Sequence, residues 1–332
     1  MKLIAYGVSS DVEAPAFKKI NKKYGHDLKL VEDRLTIDTV DQAAGFEAVI
    51  IRENDDAGKA VVAKLIKHKI KYLITRTAGF NHIDVAQAKK AGIKVARVPS
   101  YSPTAIAELA VSMTMALSRH PLYFAYKSAL HYDFTVEANG FSKEMKNSTV
   151  GILSVGKIGV QYAKMMKGIG AKTILGFDPY QNDEFKALGG KYVELDELLK
   201  KSDVVSVHTP YFPGKNEKMI NADFIKKMKK GAILINCSRG QLEDDAAILK
   251  ALQTNKLHAA GLDVVEDEAP LFRMKHKKID NPVTKKLLDL FPRCLITPHI
   301  GWYTDSAVEG MITTALEDLK ELSEIGKSVN GL

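Results

Sequence analysis

The sequence predicts an α/β protein with two parallel-sheet domains and a cleft between them. The chain has 332 residues, more than one ordinary hydrophobic core accommodates, so two domains are expected. Short β-branched runs alternate with helical patterns almost throughout, as repeated βα units with right-handed crossovers do. Several of the strand runs are continuously apolar, which suits strands covered on both faces.

The first set of strands is expected at Leu3–Tyr6, Ala48–Ile51, Tyr72–Thr75 and Val95–Val98, with a helix over Asp56–His68. Ser102-Pro103-Thr104 then opens a long helical stretch, Ser102–Tyr132, with an N-cap and a first-turn proline. A second set of strands follows at Thr149–Leu153, Thr173–Phe177, Val204–Val207, Ile233–Asn236, Ala259–Asp263 and Leu295–Thr297. Helices are expected over Ile158–Gly168, Asn221–Lys229 and Asp244–Thr254, and a terminal one over Tyr303–Lys327. The terminal helix is expected to return to the first domain. That domain is then discontinuous, 1–100 plus 300–332, around a second domain at 101–299.

Composition narrows the function. Apolar residues make up 45% and charged residues 27%, a soluble globular balance. The opening MKLIAYG holds only a short apolar run, and no stretch approaches the ~20 apolar residues of a membrane span, so no membrane role and a cytoplasmic location are expected. Cys237 and Cys294 both sit in apolar runs and read as buried small hydrophobes rather than a disulfide framework. No metal is expected, since no His pair has HExxH spacing. The net charge of +8 is spread over scattered lysines without interleaved aromatics, so nucleic acid is not an expected partner. Such a field attracts anionic substrates and nucleotides instead.

The second strand set opens on Thr149-Val-Gly-Ile-Leu-Ser-Val-Gly-Lys-Ile-Gly159: a strand, a glycine turn, then a helix. That arrangement lets backbone approach a pyrophosphate at a helix N-terminus, making Val155, Gly156, Lys157 and Ile158 candidate cofactor contacts. The usual GxGxxG is here SxGxxG, with Ser154 at the first glycine position, which leaves turn geometry open. Asp178 ends the next strand, 19 residues beyond Gly159, where a carboxylate accepts hydrogen bonds from both ribose hydroxyls and repels a 2′-phosphate. NAD is therefore the expected cofactor and both domains are expected to be Rossmann-like. Asp178 before Pro179 also suits an ordinary turn.

Three further strand ends carry charged or titratable groups: Asn236-Cys-Ser-Arg-Gly240, Ala260-Gly-Leu-Asp-Val-Val-Glu-Asp-Glu268 and Thr297-Pro-His-Ile-Gly301. Ligands of parallel α/β sheets bind beyond the carboxyl ends of strands, so Arg239, an acidic residue among Glu266, Asp267 and Glu268, and His299 can converge there. Alternatively Arg239 pairs with Glu243 or Asp244, and His299 is a satisfied core histidine. His82 and His208 read as structural.

RTAGFNHID (Arg76–Asp84), YSPTAIAELA (Tyr101–Ala110), the glycine turn, NCSRGQL, LDVVEDE and TPHIGWYT together resemble the D-isomer-specific 2-hydroxyacid dehydrogenases, especially the D-lactate and (R)-2-hydroxyglutarate branch. The resemblance implies that Arg239 binds the carboxylate of a small 2-keto acid and polarises its carbonyl, that His299 is the general acid in reduction and base in oxidation, and that Glu268, five positions after Asp263, is its partner. It also implies cofactor contacts at Thr209, Pro210, Asn216, Cys237, Ser238 and Asp263. Substrate contacts are implied at Ala78 and Gly79, with Tyr101 adding a phenolic hydrogen bond. Arg52, at the end of a first-domain strand, is similar in position to the family's side-chain pocket. An arginine there can pair with a second substrate carboxylate, as in 2-oxoglutarate, or simply with Glu53. Pyruvate or a related 2-keto acid is the first expectation and 2-oxoglutarate the alternative. A homodimer is also implied. A different class, an NADH-sensing corepressor-like protein, is compatible with the same triad. No disordered regulatory tail supports it.

Overall fold

The computed structural model describes residues 1–272 and 274–332. In chain order its elements are β1 (Lys2–Ala5), α1 (Glu13–Asn21), β2 (Asp27–Leu30), β3 (Ala48–Ile51), α2 (Lys59–Lys67), β4 (Tyr72–Thr75), α3 (Val85–Lys90), β5 (Lys94–Arg97), α4 (Pro103–Arg119) and α5 (Pro121–His131). There follow β6 (Thr149–Leu153), α6 (Lys157–Gly168), β7 (Thr173–Phe177), α7 (Asp183–Ala187), β8 (Lys191–Tyr192), α8 (Leu195–Lys201), β9 (Val204–Val207) and α9 (Ala222–Lys227). The last are β10 (Ala232–Asn236), α10 (Asp245–Gln253), β11 (Leu257–Leu262), α11 (Pro282–Leu288), β12 (Cys294–Ile296) and α12 (Asp305–Glu324). They form two compact units, Met1–Ser102 with Tyr303–Leu332, and Pro103–Trp302.

The first unit holds a five-stranded parallel sheet in the order β2-β1-β3-β4-β5. All four residues of β3 are buried, as its unbroken AVII run requires of a strand covered on both faces. β2 is a difference from the sequence reading. Its DLKL alternates exposed and half-buried at the sheet edge, too short and too polar to stand out as a strand. α12 packs on α1, β4 and β5 of this unit, with Lys19 Nζ and Glu309 Oε1 paired at 2.6 Å on its surface.

The second unit holds a seven-stranded parallel sheet in the order β12-β11-β10-β9-β6-β7-β8. The chain enters at β6, winds out to β8, then returns to β9 on the other side, so the switch point lies between β6 and β9. β10 is buried along its whole length. The core cluster it joins includes Leu153, Val207, Leu234, Ile248 and Leu262, each contributing roughly 1.5–3 kcal/mol by burial. α4 crosses α6, with Thr114 Oγ1 and Tyr162 OH 2.8 Å apart at the crossing. The helical stretch after Ser102 is two helices, not one. His120 takes a left-handed φ of 55° and Pro121 starts α5, where a residue without N–H costs nothing. No helix of the described residues is long and apolar enough to cross a membrane.

Candidate active site

The candidate segments of the second unit each start just beyond the carboxyl end of a strand. β6 runs into Ser154-Val155-Gly156, β7 into Asp178, β9 into His208-Thr209-Pro210, β10 into Cys237-Ser238-Arg239, β11 into Asp263 and β12 into Thr297-Pro298-His299. In a doubly wound sheet this edge is the ligand-binding edge.

The glycine turn fits a dinucleotide. A Cβ on Gly156 would meet nothing within 4 Å, leaving backbone open to an incoming group. A Cβ on Gly159 would lie 2.4 Å from Ser154 O, so glycine is what lets α6 start this close to the strand. No side chain caps the N-terminus of α6, which leaves its dipole and first N–H groups for an anion. Ser154 has φ +70°, the left-handed region that glycine would occupy without strain. Asp178 braces it: Oδ2 accepts from Val155 N at 2.8 Å and Ser154 Oγ at 3.1 Å, and Oδ1 accepts from Tyr180 N at 2.8 Å. Asp178 is thus both a turn aspartate and a carboxylate at the strand end.

The structure brings His299 and Glu268 together. Nδ1 of His299 is 2.6 Å from Glu268 Oε1, and both side chains are about one-fifth exposed. Glu266 is engaged elsewhere, with Lys218 at 3.0 Å, and Asp267 is exposed. His299 has φ +55°. Its loop is held by Asp263, which is buried and accepts from Thr297 Oγ1 at 2.5 Å, Ile300 N at 2.8 Å and Gly301 N at 2.9 Å. Burial pushes the Asp263 carboxyl up, against the pull of Thr297 and His299 and these backbone donors. Trp302 Nε1 adds a 2.8 Å bond to His299 O.

Arg239 stands half-buried after β10, its Nη1 donating to Ser238 O at 2.8 Å. It does not pair with Glu243 or Asp244. Glu243 is bound by Asn236 and Asp244 caps α10. Ser238 Oγ donates to Thr209 O at 2.5 Å, and Asn216 Nδ2 to Pro210 O at 2.8 Å, tying the β9 and β10 loops into one rim. The Cys237 side chain is buried and its thiol is pushed well up by burial, so any cofactor contact there is through backbone. Thr297 and Asn236 lie within the recognised motifs but carried no assigned role. Their bonds show that both fix the turns beside them.

Burial holds the His208 imidazole down to about 3 and that of His82 down to about 4, so neither donates a proton near neutral pH.

The first unit's candidates divide. Ala78 and Gly79 are half-buried in the loop after β4, where Arg97 Nη1 holds Ala78 O at 2.7 Å and Thr77 Oγ1 holds Gly79 O at 2.7 Å. Their carbonyls are thus committed. Tyr101 is half-buried in the stretch between β5 and α4. Arg52 is not an exposed strand-end arginine. It is 7% exposed, with Nη1 3.3 Å from Glu13 Oε2 and 3.0 Å from Gly7 O, and Nε 3.7 Å from Glu53 Oε2. Glu13 also pairs with the buried Arg76. Although burial opposes it, these two guanidinium groups and the Ser9 N–H hold the Glu13 carboxyl below its ordinary range.

The pattern of the family described as D-isomer specific 2-hydroxyacid dehydrogenase, NAD binding domain, matches residues 111–301. An aromatic 2-oxoacid reductase of Clostridium sporogenes is 36% identical, over 99% of this chain and 98% of its own. A D-lactate dehydrogenase of Escherichia coli is 36% identical, over 98% of this chain and 97% of its own. The crystal structure of a D-lactate dehydrogenase of Treponema pallidum superposes with a TM-score of 0.89 at 34% identity, covering 100% of this chain and 99% of that one.

Proposed function

The chain belongs to the D-isomer-specific 2-hydroxyacid dehydrogenases, NAD-dependent oxidoreductases, and from that premise we propose that it reduces pyruvate or a closely related 2-keto acid to the D-hydroxy acid. The observation that carries the site assignment is the His299–Glu268 hydrogen bond at the sheet's ligand-binding edge. NADH held by the glycine turn and Asp178 would supply the hydride for C2. Arg239 takes the substrate carboxylate in a fork and stabilises the charge that builds on the C2 oxygen. Glu268 accepts from Nδ1, which leaves Nε2 of His299 to give that oxygen its proton and to take it back in oxidation. Gly156, Lys157 and Ile158 would cradle the pyrophosphate and Asp178 the ribose. Val155, Thr209, Pro210, Asn216, Cys237, Ser238 and Asp263 complete the cofactor rim.

The commitment of Arg52 to Glu13 favours a monocarboxylate over 2-oxoglutarate. The deciding experiment is a panel of 2-keto acids with NADH, followed by chiral analysis of the product. Pyruvate should turn over to the D-acid, and His299→Gln should abolish turnover without loss of NADH binding. An L-product, or an active His299→Gln variant, defeats the assignment. In the same panel Arg52→Leu should leave the preference for pyruvate over 2-oxoglutarate unchanged. A collapse of 2-oxoglutarate turnover alone would instead make Arg52 the distal-carboxylate anchor.

A cytoplasmic homodimer is part of this reading. Tyr126 and Leu130 of α5, with Tyr132, Phe134, Val136 and Phe141 beyond it, are apolar and exposed, which suits a covered face. Sedimentation should give twice the chain mass, and Phe134→Lys should shift it toward monomer.

A further inference from the structure

The turn that carries Arg239 is braced by a buried chain of polar groups. Asn236, the last residue of β10, is wholly buried. Its Nδ2 donates to Arg239 O at 3.2 Å and to Glu243 Oε2 at 2.7 Å, while its Oδ1 accepts from Ser238 N at 2.9 Å. Glu243 is itself wholly buried and Asp245 nearly so. The negative charge of Asp245 bears directly on the Glu243 carboxyl. Glu243 Oε1 and Asp245 Oδ1 are both buried and find no donor among the described residues. Two buried carboxylates side by side without donors repel, and a proton held between them would remove that repulsion. From Asp245 the chain reaches the loop after β11. Asp245 N donates to Glu266 Oε1 and Glu266 N donates to Asp245 Oδ2, both at 3.3 Å. Glu266 stands two residues before Glu268. The backbones also touch here, because a Cβ on Gly240 would lie 2.0 Å from Val265 O.

We propose that Glu243 and Asp245 are positioning residues for the reduction. Sharing one proton, they lock the Arg239 turn to the loop that carries Glu268, and 2-keto acid binding depends on that lock. The inference rests on Arg239 being the carboxylate anchor.

The surroundings favour retention of the proton. Burial first, then the negative charge of Asp245, pushes Glu243 well above the carboxylate range. Burial and Glu266 push Asp245 up to about 6. Asp244, Cys237 and Cys294 face the pair without a positive charge among them. The nearby cation Lys218 is bound to Glu266 at 3.0 Å. When the proton leaves at alkaline pH, two adjacent buried carboxylates repel and the two loops part.

The test is steady-state reduction of pyruvate from mildly acidic to alkaline pH, with NADH affinity and Tm measured alongside. In Glu243→Gln the amide oxygen still accepts from Asn236 and the amide nitrogen donates to Asp245, with no proton to lose. This variant should match wild type at neutral pH and lose the part of the alkaline rise in KM that the pair contributes, keeping only the part set by His299. Glu243→Val leaves Asn236 and Asp245 unpaired and should raise the pyruvate KM about tenfold, with NADH affinity unchanged. A folded Glu243→Val with wild-type KM overturns the proposal. So does a KM–pH profile of Glu243→Gln that superimposes on wild type, and this comparison decides alone if the valine variant does not fold. Arg239→Gln separates the two readings: an unaltered pyruvate KM there sinks the role of Arg239, while a raised one leaves the Glu243 variants to judge the pair.

Discussion

Replacing Ser154 with glycine separates two effects of this residue. Its φ of +70° costs an L-residue about 1–2 kcal/mol and costs glycine nothing. Against that relief stand about 0.5–1 kcal/mol of extra chain entropy for glycine and the lost 3.1 Å bond from Ser154 Oγ to Asp178, about 1 kcal/mol at a half-buried position. The contributions nearly cancel, so Tm should move by less than about 3 °C. Cofactor affinity should not cancel. A carboxylate offers about four acceptor sites. On Asp178, Ser154 Oγ, Val155 N and Tyr180 N already occupy three, leaving one for two ribose hydroxyls. Ser154→Gly frees a second, worth about 1 kcal/mol, or about fivefold tighter NADH binding. Fluorescence titration with NADH measures it, in the wild-type and the Asp178→Ala backgrounds. The tightening should vanish in the second. Unchanged or weaker binding in Ser154→Gly, or tightening that persists without Asp178, would refute the reasoning.

Glu268→Gln should lower kcat/KM for pyruvate by about 10- to 100-fold, the worth of one charge-assisted hydrogen bond, with NADH affinity retained; a variant within twofold of wild type would remove Glu268 from the mechanism. Asp55 is pushed from 3.8 up to about 6 by burial, which the N–H groups of Arg52 and Leu35 and the charges of Arg76 and Arg52 do not offset. A raised folded value means stability fully present below the ordinary carboxylate range and lost as pH rises through about 6, by at most about 3 kcal/mol. The urea midpoint should therefore fall between about pH 5 and about pH 7, and a flat profile, or one unchanged in Asp55→Asn, counts against it.

How much of this was legible depended on whether a feature is local. β3 and β10 were readable because an unbroken apolar run is what a doubly covered strand needs. β2 was not, because an edge strand with one wet face has no such run. The break at His120 was also hidden. Pro121 sits within a pattern that reads as helical on both sides, and a proline at a helix start and one that ends a helix look alike in sequence. Among candidate site residues, Glu268 was separable from Glu266 only by resemblance. Spacing cannot say which of two glutamates on one loop turns toward a histidine 31 residues away. Arg52 shows the converse. Its place at a strand end was readable, but its partner Glu13 lies 39 residues earlier on α1, and no local pattern announces a contact of that range.

Ser154 and His299 are one construction used twice in the second unit's sheet. Each follows a strand, and each carries a non-glycine side chain at left-handed φ, +70° and +55°. Each is held by a carboxylate from the end of the neighbouring strand. Asp178 directly follows β7, which pairs with β6, and Asp263 directly follows β11, which pairs with β12. A chain that turns sharply off a sheet leaves its next N–H groups without ladder partners. Asp178 accepts that of Val155, and Asp263 accepts those of Ile300 and Gly301. A hydrogen bond to a charged acceptor is worth about 1.5–3 kcal/mol, enough to offset about 1–3 kcal/mol of local strain. The brace and the strain are therefore coupled. Neutralising either aspartate releases the backbone it holds, and at β12 that backbone carries His299. On the proposed role of His299, neutralising Asp263 should therefore lower turnover through the loop even without contact to substrate.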